Sequence, residues 1–132
     1  MLSEGLDTAH ADIAQEKIIA FDPEVIFLDL STIQTAPSAV AELRDDPSYA
    51  AMTAVQAGEV YGVLPYNWYS INHGSVMADA YFIGTVLYPD AFSDVDPTEK
   101  ADEIYTFLVG EPVFNEMESL FDNLAFKRIS LE

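Results

Sequence analysis

The sequence predicts an α/β fold, a three-layer unit in which a small, mostly parallel sheet is flanked by helices. Three observations predict it. Glu24-Val25-Ile26-Phe27-Leu28-Asp29-Leu30 is a near-continuous apolar run bounded by turn signals, the pattern of a parallel strand covered on both faces. Glu59-Val60-Tyr61-Gly62-Val63-Leu64 is a second short apolar run. Segments of helical spacing precede, separate and follow the two runs, and that alternation is the signature of layered α/β architecture.

The elements follow in order. Residues 1–11 carry Gly and polar residues without periodicity and read as a flexible lead-in. From Asp12 the chain turns helical, with Ile13, Lys17 and Ala20 on one side, until Asp22-Pro23 stops it. After the first strand, Ser31-Thr32-Ile33-Gln34 forms a loop at its carboxyl end, and residues 37–44 make a short helix. Asp45-Asp46-Pro47 opens another helical turn, and Ala57-Gly58 leads into the second strand. Val76, Ala80, Ile83 and Leu87 then repeat at helical spacing. Asp96-Pro97-Thr98-Glu99 starts a further helix with a capping Asp, Pro at the first helical position and an acidic first turn. Its apolar stripe is Ala101, Ile104, Tyr105 and Leu108, and Gly110 ends it. Pro112 begins the last helix, with Val113, Met117, Leu120, Phe121 and Leu124 as its buried face, and a third strand is expected near 126–129.

Half of the 132 residues are hydrophobic, enough for one domain with a real core. No apolar run is long enough to cross a bilayer and no signal peptide is seen, so the piece reads as soluble. Met1 reads as an added start and Leu131-Glu132 as an expression scar. Twenty-three acidic residues against five basic ones give a net charge of −18, which repels phosphate backbones and argues against nucleic acid as a partner. The absence of cysteine excludes disulfides, thiolate metal sites and cysteine nucleophiles. His10 and His73 lack any partner at metal-ligand spacing, so no metal site and no cofactor is expected.

Tyr66-Asn67-Trp68-Tyr69-Ser70-Ile71-Asn72-His73-Gly74 crowds aromatic, amide and imidazole groups between the second strand and the helix that follows it. Loops at the carboxyl ends of strands are where open α/β sheets bind ligands. This loop offers flat stacking surfaces and hydrogen-bonding groups but no Lys, Arg or carboxylate. The competing reading is that Trp68 and the tyrosines merely cap the core.

Residues 16–27, from Glu16-Lys17-Ile18-Ile19 to Asp22-Pro23-Glu24-Val25-Ile26-Phe27, resemble the "E-x-I-hydrophobic-x-x-x-P-D-V-I" segment of substrate-binding proteins of ABC importers for iron-siderophore complexes, haem and cobalamin. Residues 43–61, with Leu43, Asp46, Pro47, Tyr49, Met52, Ala54, Val55, Gly58, Val60 and Tyr61 in order, resemble that family's "L-x-x-D-P-x-W-x-x-L-x-A-V-x-x-G-x-V-Y" run, Tyr49 standing where the family has Trp. Trp68, Gly74 and residues 78–89 resemble its cleft loop, the following helix and the Leu-Tyr-Pro that ends it. The resemblance covers 12–92, the carboxyl-terminal lobe of a two-lobe protein, and leaves 93–130 as a helical extension packing on that lobe.

The resemblance implies a solute-binding component that captures an iron-siderophore, haem or cobalamin-like ligand in an interlobe cleft. Such a protein works outside the cytoplasm, in the periplasm or on the outer face of the membrane, and delivers its ligand to an ABC permease. The amino-terminal lobe, the connecting helix and the first strand of this lobe are then missing. Members that bind anionic ligands often place Arg in the cleft loop, and this one has none. Under this reading Tyr66, Trp68 and Tyr69 wall in the ligand, Asn67 and Asn72 hydrogen-bond it, and His73 donates a hydrogen bond or reaches a metal. Ser31, Thr32 and Gln34 join from the other strand-end loop. Asn72 and His73 serve equally as caps of the helix beginning near Gly74. Asp79, Tyr81 and His73 suggest an acid/base set, but catalysis is not expected, because Asp79 and His73 fall on different helix faces and no nucleophile elbow, phosphate loop or metal motif appears. The alternative is a protein interaction or oligomerisation module without a small ligand. The missing strand leaves a sheet edge that predicts a homo-oligomer.

Overall fold

The computed structural model describes residues 13–67 and 69–132. The expected lead-in at 1–11, His10 and the stacking residue Trp68 lie outside the described residues. The architecture is α/β: a two-strand parallel sheet flanked by helices. The elements run α1 (Gln15–Phe21), β1 (Ile26–Asp29), a 3-10 helix (Leu30–Gln34), α2 (Ala39–Asp45), α3 (Thr53–Ala57), β2 (Val60–Val63), α4 (His73–Leu87), α5 (Pro97–Val109) and α6 (Phe114–Ser119).

β1 and β2 pair in parallel with Ile26 opposite Val60 and Asp29 opposite Val63. The expected third strand at 126–129 is a correction. Asp122, Asn123 and Phe126 all take positive φ, which interrupts an extended strand. The tail nevertheless closes the free side of β2 through single bridges: Phe126 N–H donates to Gly62 O at 2.9 Å, Gly62 N–H to Lys127 O at 3.1 Å and Ile129 N–H to Val60 O at 2.8 Å. Arg128 fastens it further, its guanidinium donating to Glu59 Oε1 at 2.6 Å and to the Tyr61 hydroxyl at 3.0 Å. Among the described residues no strand pairs the outer side of β1.

An aromatic stack ties the layers together. Phe82 of α4 lies flat on Phe126 with ring centroids 4.7 Å apart, Phe126 meets Phe114 at 4.9 Å, and Phe27 and Tyr61 of the two strands meet Phe82 at their edges. Each such pair contributes about 0.5–1.5 kcal/mol beyond its buried area. Residues beyond 93 therefore supply core as well as cover: Ala101, Ile104, Tyr105, Phe114, Ala125, Phe126 and Ile129 are all buried.

Two helix faces differ from expectation. On α4 the buried side is Ser75, Ala78, Asp79 and Phe82, whereas Val76, Ala80 and Leu87 are exposed. The two polar residues reach the interior because each finds a hydrogen-bond partner there, which offsets the loss of water. On the last helix Phe114, not Leu120, is buried; the helix ends at Ser119, and Leu120, the residue that caps it, is exposed. Leu108 of α5 is also more exposed than its stripe predicts.

α5 starts and stops where its sequence signals place it. The Asp96 carboxylate accepts hydrogen bonds from the Thr98 and Glu99 backbone N–H groups at 2.9 and 3.1 Å, and Gly110 ends the helix at φ 90°. Asp96→Ala is expected to lower stability by about 1 kcal/mol, read as a shift in the urea midpoint without a change in slope.

Candidate functional site

Parallel pairing brings the carboxyl ends of β1 and β2 to the same side, and each end leads into a segment with exposed polar groups. The β1 end passes into the 3-10 helix because the Asp29 carboxylate accepts the Ser31 backbone N–H at 2.8 Å, capping it. The β2 end passes through Leu64 and Pro65 into the aromatic loop. There the chain folds back on itself, with Asn72 N–H donating to Tyr66 O at 2.7 Å and an antiparallel bridge between Asn67 and Ile71.

Between the two ends lies a groove of about 390 Å³ lined by Ser31 and Gln34 of the 3-10 helix, by Pro65 just after β2, and by Met117 of α6 and Phe121 just beyond it. Ser31 and Gln34 of the expected site meet here, beside Pro65 and the start of the aromatic loop. Among the described residues neither the Ser31 hydroxyl nor the Gln34 amide has a hydrogen-bond partner, and both are available to a ligand. Thr32 is otherwise engaged: its hydroxyl accepts the Ala39 N–H at 2.6 Å and holds the start of α2. Tyr66, Asn67, Asn72 and His73 are all exposed, and Tyr69 is 96% exposed. Of the two residues suited to capping α4, Asn72 does it, its side-chain oxygen accepting the Ser75 N–H at 3.1 Å; His73 is the first helical residue. Met117 and Phe121 entered the sequence reading only as scaffold, since nothing local indicates that the end of α6 returns to the strand ends.

Behind the loop sits a buried polar set. Asp79, 7% exposed, accepts the Leu64 N–H at 2.8 Å and so fixes the residue from which the loop departs. Burial pushes its carboxyl from the ordinary 3.8 up to about 8; the Leu64 hydrogen bond opposes the rise and the charge of Asp29 adds to it. One turn earlier, the Ser75 and Tyr105 hydroxyls are 2.8 Å apart, joining α4 to α5. Burial raises the Tyr105 phenol, its bond to Ser75 pulling the other way. Gly74 lets the helices approach, because a Cβ there would stand 3.1 Å from both Leu108 and Tyr105. Asp79, His73 and Tyr81 do not converge: Asp79 is enclosed, His73 faces solvent, and Tyr81 packs edge-on against Phe92 beneath the Lys100 ammonium.

Two further concavities stand out among the described residues. A larger one, about 700 Å³, lies among Leu43, Arg44, Gln56, Arg128 and the last residues, and both arginines are already paired, with Asp45 and Glu59. The other, about 350 Å³, runs between α4 and α5 along Met77, Tyr81, Phe107 and Leu108. Among the described residues no cluster of His, Asp and Glu is placed to hold a metal ion, and no helix is long and apolar enough to cross a membrane. No family model matches the chain, and no curated protein matches it.

Proposed function

We propose that this chain is a solute-binding component of an ABC importer, one that captures an iron chelate or a related metal complex outside the cytoplasm and passes it to a membrane permease. One observation carries the reading. Two parallel strands end side by side at a groove where Ser31 and Gln34 present unengaged polar groups beside the aromatic loop. That is the position at which open α/β sheets bind ligands, and about 390 Å³ falls within the range of small-molecule sites. The likeness of residues 16–27 and 43–61 to the importer family supports it further, since those stretches run from α1 into β1 and from α2 through α3 into β2.

Titration with ferric chelates, haem and cobalamin, followed by tryptophan fluorescence and calorimetry, tests the proposal. Saturable binding of at least one is expected, weakened about tenfold in a Gln34→Ala, Tyr66→Ala double variant whose melting temperature is unchanged. Absence of saturable binding across the set, or affinity indifferent to the double variant, overturns it.

A docking module without a small ligand is favoured by one feature, the groove between α4 and α5, on whose rim Phe107 is 88% exposed. Exposed apolar surface of that kind marks interaction sites.

A further inference from the structure

We infer that the groove at the strand ends takes an uncharged ligand with one hydrogen-bonding edge and one apolar edge, and that Met117 and Phe121 provide its apolar half. The inference rests on the solute-binding reading and narrows the chemistry of what is bound.

The argument starts from what the lining lacks. The chain carries 23 acidic and five basic residues, yet none of the five residues around this groove is charged. An ion seated there would lose water and find no counter-charge among the lining residues, which disfavours it. An anion would also enter against the field of a −18 protein.

The two walls then differ in kind. Ser31 offers a hydroxyl and Gln34 both an amide donor and a carbonyl acceptor, each without a partner among the described residues. The facing wall, Met117 of α6 and Phe121 just beyond it, has no strong hydrogen-bonding group and combines a flexible thioether with an aromatic ring. Pro65 adds a ring and no backbone donor, its carbonyl being its one polar group. A ligand that fits both walls must be polar along one edge only.

A matched dye pair tests this on the intact chain. N-phenyl-1-naphthylamine is uncharged, with one N–H and an apolar body; 8-anilinonaphthalene-1-sulfonate is the same skeleton with a sulfonate. The uncharged dye is expected to bind saturably and at least about tenfold more tightly than the sulfonate, and Met117→Ala or Phe121→Ala to weaken it about 5- to 30-fold. Gln34 is exposed, so Gln34→Lys keeps the fold and supplies the missing charge; it is expected to reverse the preference toward the sulfonate. If the sulfonate binds the unaltered protein as tightly as the uncharged dye and both respond to Met117→Ala, the ligand class is wrong while the solute-binding reading stands. If neither dye responds to Met117→Ala or Gln34→Lys but both are lost in Phe107→Ser, binding lies between α4 and α5, and the inference and the site beneath it fall together.

Discussion

Asp79→Asn is expected to stabilise the protein at pH 8 by about 2–4 kcal/mol and to leave it unchanged at pH 4. The carboxyl titrates near 8 in the folded protein and near its ordinary 3.8 when unfolded, so the folded state holds the proton more tightly between those values. Where the folded state binds more protons, stability falls as pH rises, by up to about 1.4 kcal/mol per unit for one group. Below about pH 4 both states are protonated and the residue brings no penalty; above about 8 both are ionised and the penalty is complete. Asn keeps an oxygen to accept the Leu64 N–H and carries no charge to desolvate. Urea unfolding of both proteins at pH 4, 6 and 8 checks the expectation. A variant weaker than the parent at every pH would mean that Asp79 is ionised in the folded state and that its charge is needed there.

Gly62→Ala should destabilise by about 3 kcal/mol or more, a large share of the 5–15 kcal/mol that holds a domain folded. A Cβ at this position would sit 2.4 Å from the Leu124 carbonyl oxygen and 3.1 Å from the Leu30 methyls. The contact is with backbone, so no side-chain rotation relieves it. Moving the tail away loosens the Phe126 to Gly62 and Gly62 to Lys127 hydrogen bonds, each worth about 1 kcal/mol, and disturbs the Phe82–Phe126 stack. Near-ultraviolet circular dichroism and a urea midpoint measure the effect. A variant as stable as the parent would show that 124–129 is not held against β2 as described.

The legible parts of this fold are the ones decided locally. Asp96, Pro97 and Gly110 mark the ends of α5 through their own backbone and side-chain chemistry, and the structure places those ends where the residues do. The two apolar runs became paired strands because few other arrangements bury Val60, Val63 and Leu64 together. What stayed hidden depends on contacts distant in sequence. Ser75 and Asp79 look like solvent-facing residues until Tyr105 and the Leu64 N–H are seen opposite them. The tail was expected as a strand, but left-handed backbone at Asp122, Asn123 and Phe126, which strand periodicity does not encode, reduces its pairing with β2 to single bridges.

The candidate site divides in the same way. Ser31 and Gln34 follow from the general rule about strand ends, and the structure gives them a groove. Thr32 and Asn72 carry the right groups, but each spends its side chain on a helix start. Met117 and Phe121 had no local signal, since only the packing of α6 and the residues just after it brings them to the carboxyl ends of the strands.

The tail's place against β2 also bears on how the chain is made. Synthesis delivers β1, β2 and α4 well before residues 124–129, and at roughly 5–20 residues per second the wait lasts seconds. Throughout it the nascent chain carries the Phe82 ring without Phe126 to stack on, and the Gly62 amide without the Lys127 carbonyl to receive its hydrogen bond. The structure around β2 is therefore sealed only once residues 124–129 have left the ribosome, and chaperones have their window before that moment.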